Sequence, residues 1–148
     1  MRTIKVSTHD LLFALTNRMP GTSHYLDSET GEVIPVLSFN REQILSMIKA
    51  EHGRFLRIAP QSPAKGYEMM KQFAGTVTRT EVRNRLEAAL QAEKAFRSFR
   101  STVSEVPSEC GRWQRFRVRV MTESLRARLE QKDIQLELIP DEEPGKPV

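Results

Sequence analysis

The sequence predicts an α+β fold: a small antiparallel sheet of three to four strands with about six helices, the larger helical layer lying in the C-terminal half. Three observations point there. A hairpin signature spans residues 24–34, stretches beyond Ser62 repeat apolar residues at helical spacing, and the composition, 39% hydrophobic and 28% charged, is that of a packed globule. At 148 residues, folding can bury roughly 70% of the unfolded surface, so no disulfide or metal staple is required. Residues 1–140 read as one α+β domain. Residues 141–148 read as a disordered acidic and proline-containing tail, because Asp141, Glu142, Glu143, Pro144 and Pro147 leave almost nothing to bury.

Element by element, Ser7 or Thr8 caps a first helix carrying Leu11, Leu12 and Leu15 on one face, which Pro20-Gly21 ends. His24-Tyr25-Leu26 and Glu32-Val33-Ile34 then flank the turn Asp27–Gly31, where Asp27 folds back on the backbone and Gly31 supplies positive φ. Pro35 lacks a ladder donor and is expected at or just past the strand end. Asn40 is expected to cap a second helix with Ile44, Leu45 and Ile48 inward, and Phe55–Ile58 to form a third strand.

In the C-terminal half, Ser62-Pro63 opens a helix with Tyr67, Met70, Phe73 and Ala74 on its core face. Another runs from about Thr80 with Val82, Leu86, Ala89 and Leu90 inward. A third begins at Ala95 and continues to Pro107, after which Ser108 is expected to cap the last long helix, with Glu109 in its first turn. That helix changes register. Trp113, Phe116 and Val120 share one side, whereas Val118, Met121, Leu125 and Leu129 centre roughly 150° away, so it either bends near Val120 to Thr122 or touches different elements along its length. Ile134–Ile139 alternates as a strand, expected at the sheet edge.

Several function classes lack their residues. The apolar run Leu11–Leu15 is shorter than the roughly 7 to 15 residues of a signal segment, and nothing approaches the roughly 20 of a membrane span. The lone Cys110 excludes an internal disulfide and multi-cysteine zinc patterns, which points to the cytoplasm. His9, His24 and His52 show no metal-ligand spacing, and no cofactor is expected. Cys110 beside Arg112 has no identifiable base, and Glu29 and Glu32 at the hairpin tip read as solvated carboxylates rather than an acid/base pair. Nucleophile-elbow, phosphate-loop, dinucleotide and zinc-protease motifs are missing. Phe96, Phe99, Trp113 and Phe116 have the spacing of a base-stacking platform, but are more simply the clasp between two helices.

Charge is the more informative signal. The net +4 is concentrated in residues 79–128, which hold 12 Lys and Arg against 6 Glu. Arg112, Arg115, Arg119 and Arg126 fall within about 60° on a helical wheel, forming an arginine stripe on the last helix. Guanidinium forks suit an acidic protein surface or a nucleic-acid backbone. The alternative is a solvated helix face with some arginines paired internally. The expectation is a non-catalytic binding or regulatory module with an unknown protein or acidic partner. Sequence-tolerant nucleic-acid binding through the stripe is the alternative, and an unrecognised small-molecule enzyme comes third.

His24-Tyr25-Leu26-Asp27, Thr30-Gly31-Glu32-Val33, Tyr67–Phe73, Ala89-Leu90, Ala95–Arg100 and Trp113-Gln114-Arg115-Phe116 together resemble the bacterial uncharacterised protein family 0158, in order along most of the chain. The resemblance implies a bacterial cytosolic protein. That family has no assigned activity, so no site residue carries over.

Overall fold

The computed structural model describes residues 1–140. Their elements are, in order, β1 (Arg2–Ser7), α1 (Thr8–Thr16), β2 (Ser23–Asp27), β3 (Val33–Val36), α2 (Arg41–Ala50), β4 (Phe55–Ile58), α3 (Pro63–Thr76), α4 (Thr80–Leu90), α5 (Ala95–Ser104), α6 (Pro107–Glu130) and β5 (Ile134–Ile139). The fold is mixed α+β, with a three-stranded antiparallel sheet and six helices. The described residues group into two compact units, one built from residues 1–60 and 123–140, the other from Gln61–Thr122. The expected acidic tail, residues 141–148, lies outside the described residues.

In the first unit the antiparallel sheet has the order β3-β2-β4. Its central strand alternates up to its last residue: His24 and Leu26 are buried, Ser23 and Tyr25 are half-buried on the other face, and Asp27 breaks the pattern by being buried as well. Pro35 sits inside β3, opposite His24, rather than at its end. The position is tolerated because β3 is an edge strand, where a missing donor faces no neighbour. Strand β5 does not join this sheet. It pairs in parallel with β1, from Arg2 opposite Ile134 to Ser7 opposite Ile139, burying Ile4, Val6, Ile134 and Leu136. The short alternation of β1 has a partner more than a hundred residues away, so no local turn announces the pairing.

Ser7 caps α1 as expected, accepting from the Asp10 amide at 3.2 Å. Asn40 precedes α2, but its side chain serves the preceding turn instead: Oδ1 accepts from the Leu37 amide at 2.7 Å and Nδ2 donates to the Pro35 carbonyl at 3.1 Å. The inward face expected for α2 is not buried. Ile44 and Ile48 are half-covered, Leu45 is exposed, and no residue of α2 is buried. Apolar spacing defines a stripe; burial requires a neighbour close enough to cover it.

The second unit is built around aromatic rings. Phe73 of α3 lies 5.2 Å from Trp113, 5.4 Å from Phe116 and 6.3 Å from Phe99, and Phe99 lies 5.0 Å from Trp113. Most of these contacts are edge-to-face, the favoured arrangement of ring quadrupoles. Phe99 and Trp113 are buried, whereas Phe96 lies partly exposed over Gly66, outside the clasp. Ser62 caps α3 through the Lys65 amide with Pro63 in the first turn. Pro107 is the first residue of α6 rather than a spacer before it, and the Val106 carbonyl accepts from the amides of Glu109 and Cys110. Proline fits that first turn because its absent donor has no intrahelical acceptor there. The two apolar registers of α6 do not coincide with the two units: Trp113, Phe116 and Val120 belong to the second, and of the other register Val118 and Met121 also belong to the second while Leu125 and Leu129 belong to the first. No helix among the described residues is long and apolar enough to cross a membrane.

Candidate functional site

The predicted arginine stripe is structurally heterogeneous. Arg112 is half-buried: its Nε donates to Glu109 at 2.8 Å, its Nη2 donates to Thr76 Oγ1 at 3.0 Å, and its guanidinium lies 4.9 Å from the Phe73 ring centre. Arg126, in the first unit, donates to the Leu136 carbonyl at 3.0 Å. These two brace the scaffold. Arg115 and Arg119 are exposed, and Arg119 rests 5.3 Å from the Phe116 ring.

Three other arginines of the second unit lie outside that stripe. Arg97 and Arg100 are exposed one turn apart on α5, and Arg117 is half-buried on α6 one turn beyond Trp113, the ring packed against Phe99. Burial, and after it the like charge of Arg100, pull the Arg117 guanidinium below its usual pKa. Two carboxylates of the second unit are already paired. Glu105 pairs with Arg85 and Glu109 with Arg112, so Arg97, Arg100, Arg115, Arg117 and Arg119 have no carboxylate partner among the described residues. Helices α5 and α6 carry arginine and no lysine, which favours planar, two-pronged recognition of carboxylate or phosphate.

In the first unit the strongest polar constellation is a lock. Arg54 donates through Nε and Nη2 to the two oxygens of Asp27 at 2.9 and 2.8 Å, and through Nη1 to Glu51 at 2.7 Å. Asp27 also accepts from the amides of Glu29 and Thr30. Arg54, outweighing the opposing effect of burial, holds the Asp27 carboxyl down at about 2. Ser28 Oγ donates to the Arg54 carbonyl, closing the junction. The Tyr-Leu-Asp turn thus owes its chemistry to a partner that sequence reading did not single out, because Arg54 lies 27 residues on, beyond any local motif.

The remaining candidates occupy ordinary environments. His24 is buried edge-on to Phe13, 5.7 Å between ring centres, and burial lowers its pKa. His9 and His52 are exposed, Cys110 is half-buried, and Glu29 approaches Arg54 at 3.4 Å. Among the described residues no group of three or more His, Cys, Asp or Glu is arranged to hold a metal ion.

An α+β chain with a locked hairpin and an arginine-rich helix pair matches, over residues 1–147, the model of the uncharacterised protein family UPF0158. The chain belongs to that family. It is 30% identical over 155 residues to the UPF0158 protein PA5073 of Pseudomonas aeruginosa, covering 99% of both chains. No solved structure matches it.

Proposed function

We propose that this chain is a cytoplasmic, non-catalytic binding module whose second unit holds an anionic partner. One observation carries this: Arg117 is half-buried, its charged neighbour is another arginine, and no carboxylate among the described residues neutralises it. Keeping like charges together at reduced hydration is unfavourable in the isolated chain, and an incoming carboxylate or phosphate relieves it. Arg97 extends the same flank of α5. The lone Cys110 accords with a reducing compartment. An acidic protein surface is the first partner class, because fork geometry rewards paired carboxylates.

Nucleic-acid backbone binding is the second, favoured by Arg115 and Arg119 remaining exposed on the predicted stripe. With Phe99 and Trp113 buried, those rings are not available for base stacking, so such binding would follow phosphates and tolerate any sequence. Titration of the full chain with fluorescent polyglutamate and with an oligonucleotide of matched charge, at about 50 mM salt where electrostatic association is strong, tests both. Tighter binding of polyglutamate supports the acidic-protein partner, and tighter binding of the oligonucleotide supports the second class. Binding of neither contradicts the proposal.

A further inference from the structure

A groove lies in the first unit, among residues separate from those of α5 and α6. Because no residue of α2 is buried, the helix leaves a groove of about 360 Å³ against the sheet. That volume is within the range of small-molecule pockets, about 300–1,000 Å³. Register fixes its floor: Tyr25 of β2 stands opposite Arg57 of β4, and Ser23 stands opposite Val36 of β3, so these four side chains share one face of the sheet. From α2, Leu45 adds apolar surface and Arg41 crosses to the loop, donating to the Gly21 carbonyl at 3.0 Å.

The lining is cationic and donor-rich. Arg41 and Arg57 face the groove, and no carboxylate lines it among the described residues. The Arg57 guanidinium and the hydroxyls of Thr22 and Ser23 have no hydrogen-bond partner among the described residues. The single bond of Arg41 leaves further N–H groups to donate. A neighbouring recess of about 250 Å³ shares Thr22, Ser23 and Arg57 and adds Arg18, so Arg57 stands where the two meet. Tyr25, Val36 and Leu45 supply the apolar part of the wall.

We propose that this groove binds a small organic phosphate with a planar, apolar body. The phosphate lies between Arg41 and Arg57 with Thr22 and Ser23 as hydroxyl donors, and the body lies against Tyr25 and Leu45. Guanidinium pairs and hydroxyls recognise phosphoryl oxygens in a fixed fork geometry, and an aromatic wall favours a flat ligand.

Nitrogen-15 NMR titration of the full chain with phenyl phosphate tests this, with benzoate and inorganic phosphate as comparison ligands. The expected result is saturable shifts at the amides of Thr22, Ser23, Tyr25 and Arg57, with weaker binding of both comparison ligands. Arg57→Gln should weaken phenyl phosphate by about tenfold while leaving distant amide shifts in place, which confirms folding. Arg57→Lys should fall between the two, since it keeps the charge and loses the fork. The proposal is overturned if phenyl phosphate gives no saturable shift at those amides, if its shifts map to α5 and α6 instead, or if Arg57→Gln binds it as the parent does. Benzoate binding as tightly would overturn the phosphate assignment, and inorganic phosphate binding as tightly would overturn the role of Tyr25 and Leu45.

Discussion

Asp27 and Arg54 meet through two hydrogen bonds of 2.9 and 2.8 Å, joining the tip of the β2–β3 hairpin to the first residue before β4. The Asp27 side chain is 4% exposed and that of Arg54 is 23% exposed, so water screens the pair weakly. The Asp27 carboxyl, held at about 2 against an ordinary 3.8, therefore contributes stability that is present in full above about pH 4 and is lost as pH falls toward 2. The shift corresponds to about 2 kcal/mol. Asp27→Asn should flatten the acid limb of a urea-midpoint profile between about pH 4 and pH 2. An unchanged limb would mean that another carboxylate dominates acid unfolding.

Gly31 closes the same turn at φ +84°, and a Cβ there would overlap the Lys5 carbonyl oxygen of β1. Gly31→Ala therefore incurs both a left-handed backbone penalty of about 1–2 kcal/mol and a clash with backbone that cannot rotate away. A strong fall in melting temperature is expected. Gly21→Ala provides the contrast, because its φ is also positive, +77°, but nothing lies within 4 Å of the built Cβ.

Phe99→Ala and Trp113→Ala should each cost about 3–5 kcal/mol in chemical denaturation, because both rings are buried in the cluster around Phe73. A variant that keeps the parent midpoint would remove that ring from the core.

Much of this was legible from residue order, and the exceptions share a cause. Ser7, Ser62 and the 27–31 turn are local devices, so their roles follow from residues two to four positions away. The parallel partner of β1, the Arg54 fork and the unburied face of α2 depend on segments distant in the chain, where periodicity carries no information. At the candidate site, the wheel places Arg115 and Arg119 on one side of α6, where both are exposed. It did not reveal that Arg112 and Arg126 are bonded to Glu109 and Leu136, nor that the like charge of Arg100, on a different helix, acts on Arg117.

That division separates scaffold from surface. Arg112→Gln should lower stability by about 1 kcal/mol through the lost bonds to Glu109 and Thr76, and Arg126→Gln should lower it similarly through Leu136. Arg115→Gln and Arg119→Gln should leave the midpoint nearly unchanged. Equal effects at all four positions in thermal melts would contradict the assignment.

Arg117 carries the opposite sign. Arg117→Met keeps much of the packing volume and removes a half-buried charge beside Arg100, so it should raise the urea midpoint or leave it unchanged while weakening the polyanion. A clear loss of stability would show that Arg117 is a structural group rather than one held for a partner.

The most direct measurement compares salt dependence for the parent and for the variant with Arg97, Arg100 and Arg117 all replaced by glutamine, each titrated against duplex DNA and polyglutamate. On the duplex, each arginine that neutralises a phosphate contributes about −0.9 to the log–log slope. The variant should therefore lose up to about three units of slope and bind polyglutamate more weakly, with its circular dichroism unchanged. Identical slopes and affinities for parent and variant, or a parent that binds neither polymer at about 50 mM salt, would contradict an anionic partner on α5 and α6.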